Sequence, residues 1–207
     1  MGLYDRYLLS PAIDRMCGSP EVMAVREEIV PEAEGDVLEL GMGSGLNLPL
    51  YDPARVRRVV GVDPGEHITA LARRRMEAAR VPVELLQLSG ESVPAEDHSF
   101  DSVIVTFTLC TIPDVYRALG EVRRLLRPGG RLLFAEHGLA PDPAVQRWQR
   151  RVNPLWRSLA GGCHLTRDTV RLLEDGGFRM LPGLRADHAM AGPRIATWVS
   201  RGAAVPR

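Results

Sequence analysis

The stretch Glu39-Leu40-Gly41-Met42-Gly43-Ser44-Gly45 places an acid two positions ahead of three alternating glycines, at the end of a short apolar run. Glycine lets a backbone take positive φ and approach a ligand closely. Such a loop suits a small molecule held against main-chain groups. A dinucleotide fingerprint spaces its glycines G-x-G-x-x-G, and here the place of its last glycine is Leu46. That spacing fits a pyrophosphate poorly. Glu39 argues the same way, because a carboxylate at the mouth of the loop repels phosphate and attracts a cation such as an α-ammonium group. Asp63 closes a second apolar run, Val59-Val60-Gly61-Val62, about twenty residues beyond the first glycine, where an acid grips ribose hydroxyls in open α/β folds. An amino acid joined to a nucleoside without phosphates meets all three conditions. S-adenosylmethionine is such a ligand, and it is the expected cofactor.

The remaining candidates sit at strand ends or in loops. His137 directly follows the run Leu132–Glu136, and strand ends point at ligand sites in open sheets. His164 lies beside Cys163, ahead of a helix expected to be capped by Thr166. These two histidines are the candidate catalytic residues, as substrate contacts or as a general base. His98 belongs to the charged loop Pro94–Phe100 and reads as solvated, and His67 reads as lining the adenosine side or solvent. Cys17, Cys110 and Cys163 are odd in number and far apart, which argues against a disulfide framework and against a zinc site. Cys110 and Cys163 read as small buried hydrophobes, and no metal is expected. Trp148 and Trp156 are read as core or as a wall over the substrate, and Tyr4 and Tyr7 as closing the pocket from the N-terminal side.

All 26 basic residues are arginine, which reads as the codon bias of a GC-rich genome. It excludes Schiff-base chemistry, a P-loop lysine and the Tyr-x-x-x-Lys pair of short-chain dehydrogenases. The 26 acidic residues balance the charge to +0, so there is no basic field for a nucleic-acid partner. No window approaches the roughly 20 apolar residues that span a bilayer, and the first residues lack the apolar core of a secretory signal. The expectation is a cytoplasmic protein with a small-molecule acceptor, no nucleic acid and no stable membrane insertion.

These residues need a frame. The 207 residues suffice for one α/β domain. Tyr4–Met16 and Ser19–Val30 read as helices, the second with Ser19 as N-cap and Pro20 in its first turn. Strands are expected at Asp36–Leu40, Arg58–Val62, Val83–Leu88, Ser102–Thr106 and Arg131–Glu136. Helices are expected from Gly45, through His67–Arg80 and over Asp114–Leu126. This alternation implies right-handed βαβ units and a parallel sheet. Pro141–Gly162 reads as helical on both sides of Pro154, and Thr166–Asp175 as a further helix. Phe178–Leu184 and Ile195–Arg201 read as closing strands.

Together "LELGMGSG", "GVDP", "SFDSVIV" and "ALGEVRRLLRPGGRLLF" resemble class I methyltransferases of the methyltransferase type 11 group, over roughly Val37–Glu136. "LLFAEHG", the paired tryptophans and "GGCHLTRDT" are similar to the branch holding thiol methyltransferases, with phospholipid N-methyltransferase and quinone-methyltransferase relatives. The resemblance implies a doubly wound, Rossmann-like, seven-stranded, mainly parallel α/β sheet whose last inserted strand is antiparallel. It implies one domain: a helical cap over 1–35, a cofactor-binding core over 36–136, a helical insertion or lid over 137–177 and closing strands over 178–207. By matching position, Glu39, Gly41, Gly43 and Gly45 contact the methionine portion, with Asn47 also in the cofactor-binding set. Asp63 holds the ribose, and Pro64 packs on adenine. Ser89 stands where the group often has an acid, so the backbone of Gly90 and Glu91 reads the base. Thr106 and Phe107, with Thr108, face the transferred methyl.

Overall fold

The computed structural model describes residues 10–65 and 69–207. Tyr4, Tyr7 and His67 lie outside these residues, as does the first part of the expected N-terminal helix. Two helices open the described chain: α1 (Ser10–Cys17) and α2 (Pro20–Ile29). Ser19 stands ahead of α2 in extended backbone, with Pro20 in the first turn, although its hydroxyl makes no capping bond.

Five strands then run parallel: β1 (Gly35–Leu40), β2 (Val56–Val62), β3 (Val83–Leu86), β4 (Phe100–Thr106) and β5 (Leu126–His137). Among them lie α3 (Thr69–Glu77) and α4 (Val115–Leu125). They are followed by α5 (Pro143–Leu159), α6 (Thr169–Asp175), β6 (Phe178–Met180), β7 (Arg185–His188) and β8 (Trp198–Pro206). The sheet order is β3-β2-β1-β4-β5-β8-β6, with β7 also on β8. Strand order reverses between β1 and β4, which opens a crevice at their carboxyl ends where ligands bind in such sheets. The last strand, β8, is inserted antiparallel between β5 and the short strands.

Side-chain alternation along a strand decides which residues meet which layer. Leu38 and Leu40 join one buried cluster with α4, α6 and Phe134. Val37, Ile104, Leu133 and Ala135 join the other, with Val25 and Ile29 of α2. Glu39 and His137 share parity with Val37 and Ala135, so both project onto the α2 face. Glu136 projects onto the opposite one. At the amino ends of the strands Asp36 and Asp101 pair with Arg57 and Arg127, well away from the crevice.

Three expectations are corrected. No α-helix starts at Gly45; turns lead to one 3-10 turn at Leu48–Leu50. Pro49 lacks an N–H, and inside a helix its ring would collide with the carbonyl of Gly45. The strand expected over Phe178–Leu184 ends at Met180 as β6, because Pro182 and Gly183 (φ +97°) turn the chain before a further strand, β7, begins at Arg185. Hence eight strands fill seven lanes. The helix expected from Thr166 starts at Thr169, and Asp168 caps it by accepting the N–H of Arg171.

Candidate functional site

The glycine loop leaves β1 with all three glycines in the left-handed region: Gly41 at φ +73°, Gly43 at +56° and Gly45 at +80°. A Cβ on Gly41 would collide with Thr108, so this glycine lets the loop close against the end of β4. A Cβ on Gly43 would meet only the carbonyl of Gly41, at 3.9 Å. Among the described residues, the space over Gly43 is therefore clear. The loop is tied to the end of β2 by Asp63, whose carboxylate accepts the N–H of Gly43 (2.8 Å) and of Gly65 (2.8 Å). Burial raises the pKa of Asp63 and these two bonds oppose it. A carboxylate has about four lone-pair sites, so among the described residues two stay open to hydroxyl donors.

Glu39 lies beneath the loop, fully buried, accepting Asn47 Nδ2 (2.9 Å) and the Tyr51 hydroxyl (2.7 Å). Burial pushes its pKa up to about 7; Tyr51, Arg26 and Asn47 work against that shift. Asn47 also donates to Thr106 Oγ1 (3.0 Å) and accepts from Arg26 (2.8 Å), which donates to Thr106 as well (2.5 Å). The Arg26 guanidinium lies 5.1 Å from the Phe107 ring centroid, a cation–π distance. Phe107 holds φ +53°, unusual for a bulky residue. Arg26 Nε is buried with no partner.

Thus a buried arginine that the sequence reading omitted stands opposite Glu39, and the site carries both signs of charge. Its only sequence signal is its place on a short helix leading into β1. On the cap side, Asp14 of α1 accepts from Ser44 of the loop and from Arg75 (2.8 Å), and Arg75 also donates to the Ser44 carbonyl (2.8 Å).

The adenine-side candidates differ in kind. Pro64 is exposed. A Cβ on Gly90 would collide with Leu40, so that backbone sits directly on the end of β1. The Glu91 carboxylate accepts the Asp114 N–H at the start of α4 (2.8 Å), and its carbonyl accepts Arg117 Nε (3.1 Å).

At the acceptor side Cys110 and Cys163 are both buried and free, as expected, but they are not apart in space. Cys110 and Cys163 are far apart in sequence, yet their sulfurs and a ring nitrogen of His137 all lie within 4.8 Å of one another. His137 Nε2 is 3.1 Å from Cys163 Sγ, and Trp156 Nε1 donates to the same sulfur at 3.2 Å. Crossovers between parallel strands bring distant loops together, which sequence spacing does not reveal.

Within the cluster Cys163 is the acidic thiol, lowered by its bond to Cys110 and by His137, while Cys110 is raised by the same bond and by burial. Burial opposes the charged form of His137, but Cys163 and Glu136 outweigh it and raise its pKa. Glu136, pushed up to about 7 by burial, accepts the N–H of Thr108 (2.6 Å) and Leu109 (3.1 Å) on the other sheet face. His164 lies outside this cluster; its backbone N–H donates to the Cys110 carbonyl (2.9 Å).

The paired tryptophans also part company. Eight residues at 3.6 per turn leave them about 80° apart around the helix. Trp156 turns in to Cys163, and Trp148 is 57% exposed beneath Arg151. Two open grooves of about 480 and 300 Å³ lie elsewhere, and neither is lined by Gly43, Asp63 or Thr106. Among the described residues no helix is long and apolar enough to cross a membrane.

A doubly wound sheet with an antiparallel last strand, a three-glycine loop after β1 and an acid after β2 define the S-adenosylmethionine-dependent methyltransferase fold. Residues 38–134 match the family described as methyltransferase domain, and this match together with the fold implies S-adenosyl-L-methionine as the cofactor. The chain is 36% identical over 149 residues to the thiol S-methyltransferase TMT1B of Rattus norvegicus, covering 70% of this chain and 60% of the relative. It is 38% identical over 131 residues to a demethylmenaquinone methyltransferase of Thermus thermophilus, covering 61% of this chain and 60% of the relative. A phosphatidylethanolamine N-methyltransferase of Cereibacter sphaeroides is 37% identical over 105 residues, half of each chain (50% and 51%). The chain thus spans about three fifths or less of these relatives' length. A Thermotoga maritima structure described as a possible histamine N-methyltransferase superimposes with TM-score 0.67 at 20% identity, covering 99% and 98% of the two chains. The [4+2]-cyclase SpnF superimposes with TM-score 0.71 at 17% identity, covering 99% and 94%. These likenesses concern the fold, which hosts more than one chemistry.

Proposed function

We propose that the chain transfers a methyl group from S-adenosylmethionine to a small, lipophilic nucleophile, with a thiol as the leading acceptor. The observation that carries this reading is the pairing of buried Glu39 and buried Arg26 beside a glycine loop with clear space over Gly43. An amino-acid tail brings one ammonium and one carboxylate, and these two side chains offer the opposite charges. Arg26 Nε, buried without a hydrogen-bond partner among the described residues, is the kind of donor that a carboxylate satisfies. Asp63 keeps acceptor sites for the ribose hydroxyls. Gly41, Gly45 and Asn47 shape the loop, while Pro64 and the backbone of Gly90 and Glu91 flank the base. Thr106 and Phe107 floor the transfer site.

The cofactor supplies an already activated methyl, so the protein's contribution is orientation and exclusion of water. Thr106 is held by two donors and Phe107 by Arg26, which fixes the floor. The helices α1 and α2 before β1 and the largely helical segment 137–177 act as cap and lid. Asp14, Arg75 and Ser44 latch the first of them to the loop. His137, held with Cys163, is the group at the acceptor side that assists loss of the acceptor's proton, with His164 the second candidate. A thiol, ordinarily near pKa 8.5, needs only modest help of this kind. The thiol relatives and the net charge of +0 support this acceptor class. The three free cysteines fit a reducing, cytoplasmic setting.

Calorimetric titration with S-adenosylmethionine and S-adenosylhomocysteine tests the cofactor reading. Binding in the micromolar range is expected, weakened at least tenfold by Asp63→Ala and by Glu39→Ala; unchanged affinity in both variants defeats it. A labelled-methyl screen across thiols, amines and phenols then identifies the acceptor, and turnover confined to amines or quinols rejects the thiol.

A further inference from the structure

We infer that Cys110, His137 and Cys163 form a binding site for a thiophilic divalent ion of the zinc class. The inference deepens the proposed function, since it assigns the acceptor-side cluster a metal where that reading used a bare imidazole. Three segments remote in sequence supply the ligands: the loop after β4, the end of β5 and the loop between α5 and α6. Their ligand atoms lie within 4.8 Å of one another. Zinc bonds of about 2.3 Å to sulfur and 2.0–2.1 Å to nitrogen put tetrahedral ligand atoms about 3.5–3.8 Å apart, so the cluster needs little adjustment to close on an ion.

The surroundings hold the ligands in place. Arg167 donates to the carbonyls of Leu109 and Ile112, bracketing Cys110. The His164 N–H donates to the Cys110 carbonyl, and Leu165 N–H to Asn153 of α5 (2.9 Å). Trp156 donates directly to Cys163 Sγ, the outer-shell bond that a coordinating thiolate favours.

As a plain hydrogen-bond network the cluster is a poor one. Thiols are weak donors and acceptors, and His137 Nδ1 is buried with no partner. Coordination through Nε2, the nitrogen facing Cys163, leaves Nδ1 as it is but replaces weak thiol contacts by strong metal–sulfur bonds. Three protein ligands also leave a fourth position open, the pattern of catalytic rather than structural zinc. A thiol bound there is deprotonated outright.

The test uses the full chain, reduced and stripped of metal, then titrated with zinc against a chromophoric chelator. One equivalent bound below micromolar Kd is expected. Affinity should fall at least a hundredfold in Cys110→Ala and in Cys163→Ala and stay unchanged in Cys17→Ala. Cobalt substitution of the wild type gives a reading independent of variant folding: sulfur-to-metal charge-transfer absorption, with one of the three thiols still open to a thiol reagent. Absence of stoichiometric zinc, binding that survives loss of both cysteines, or a Cys110–Cys163 disulfide formed in glutathione buffer overturns the inference. None of these outcomes bears on cofactor binding or on methyl transfer measured separately, so the two readings fail independently.

Discussion

Gly41 and Gly43 share a left-handed backbone but differ in what surrounds them, and this separates stability from binding. Gly41→Ala adds a methyl that collides with Thr108 as well as the left-handed cost of about 1–2 kcal/mol. Gly43→Ala carries only the second cost, because its Cβ enters open space. Thermal melts should show Gly41→Ala as much the less stable, by about 2 kcal/mol or more relative to Gly43→Ala. Calorimetry should show Gly43→Ala folded but weakened for S-adenosylmethionine, since its methyl stands over the loop. The glycines were legible in sequence because a residue without Cβ advertises its own backbone. Glu39 and Asp63 were legible by their offset from that loop. Arg26 was not, since an arginine on a short amphipathic helix looks like any solvated one until the helix is docked. The cysteine–histidine cluster was hidden for a related reason: its members are adjacent only after two crossovers.

Elements position these residues through a few anchoring bonds. The alternation of strand and helix was readable from hydrophobic period, and so was the parallel sheet it implies; the strand order within the sheet was not. Two of the misreadings fall where proline overrides period, at Pro49 after the glycine loop and at Pro182 beyond β6; the third is a cap, Asp168 in place of Thr166. Gln149 shows what period cannot see. It is a polar residue at a fully buried position of α5, bonded to the backbone of Gly138, Ala140 and Ile195. The N-terminal segment has its own anchor in Asp14, whose pKa is lowered chiefly by Arg75. Asp14→Ala removes a partly buried bidentate pair worth about 1 kcal/mol. The expected result is faster amide exchange in α1 with little change in the melting temperature, and a several-fold loss of cofactor affinity. Exchange measured by mass spectrometry checks it, and unchanged protection of α1 refutes the latch.

Across the whole molecule, charge is sorted by end of the sheet. The amino ends carry exposed ion pairs that stabilise modestly and are screened by salt, while the carboxyl ends bury Glu39, Arg26 and Glu136 at a cost. Glu39 makes that cost measurable. Its pKa is raised from 4.5 to about 7 on folding, so the folded state binds more protons than the unfolded one between these values. Stability from this group is therefore complete below about pH 4.5 and is lost as pH rises through 7. The loss amounts to about 3 kcal/mol. Chemical denaturation of the wild type and of Glu39→Gln, in parallel from pH 4.5 to 8.5, should show the variant gaining on the wild type by about that amount across the window. The same linkage predicts the binding curve. An ammonium group favours the ionised carboxylate, so wild-type affinity for S-adenosylhomocysteine should rise with pH through 7, and the rise should vanish in Glu39→Gln. A flat wild-type profile would refute this titration, since it would mean that Arg26 already holds Glu39 ionised throughout the window.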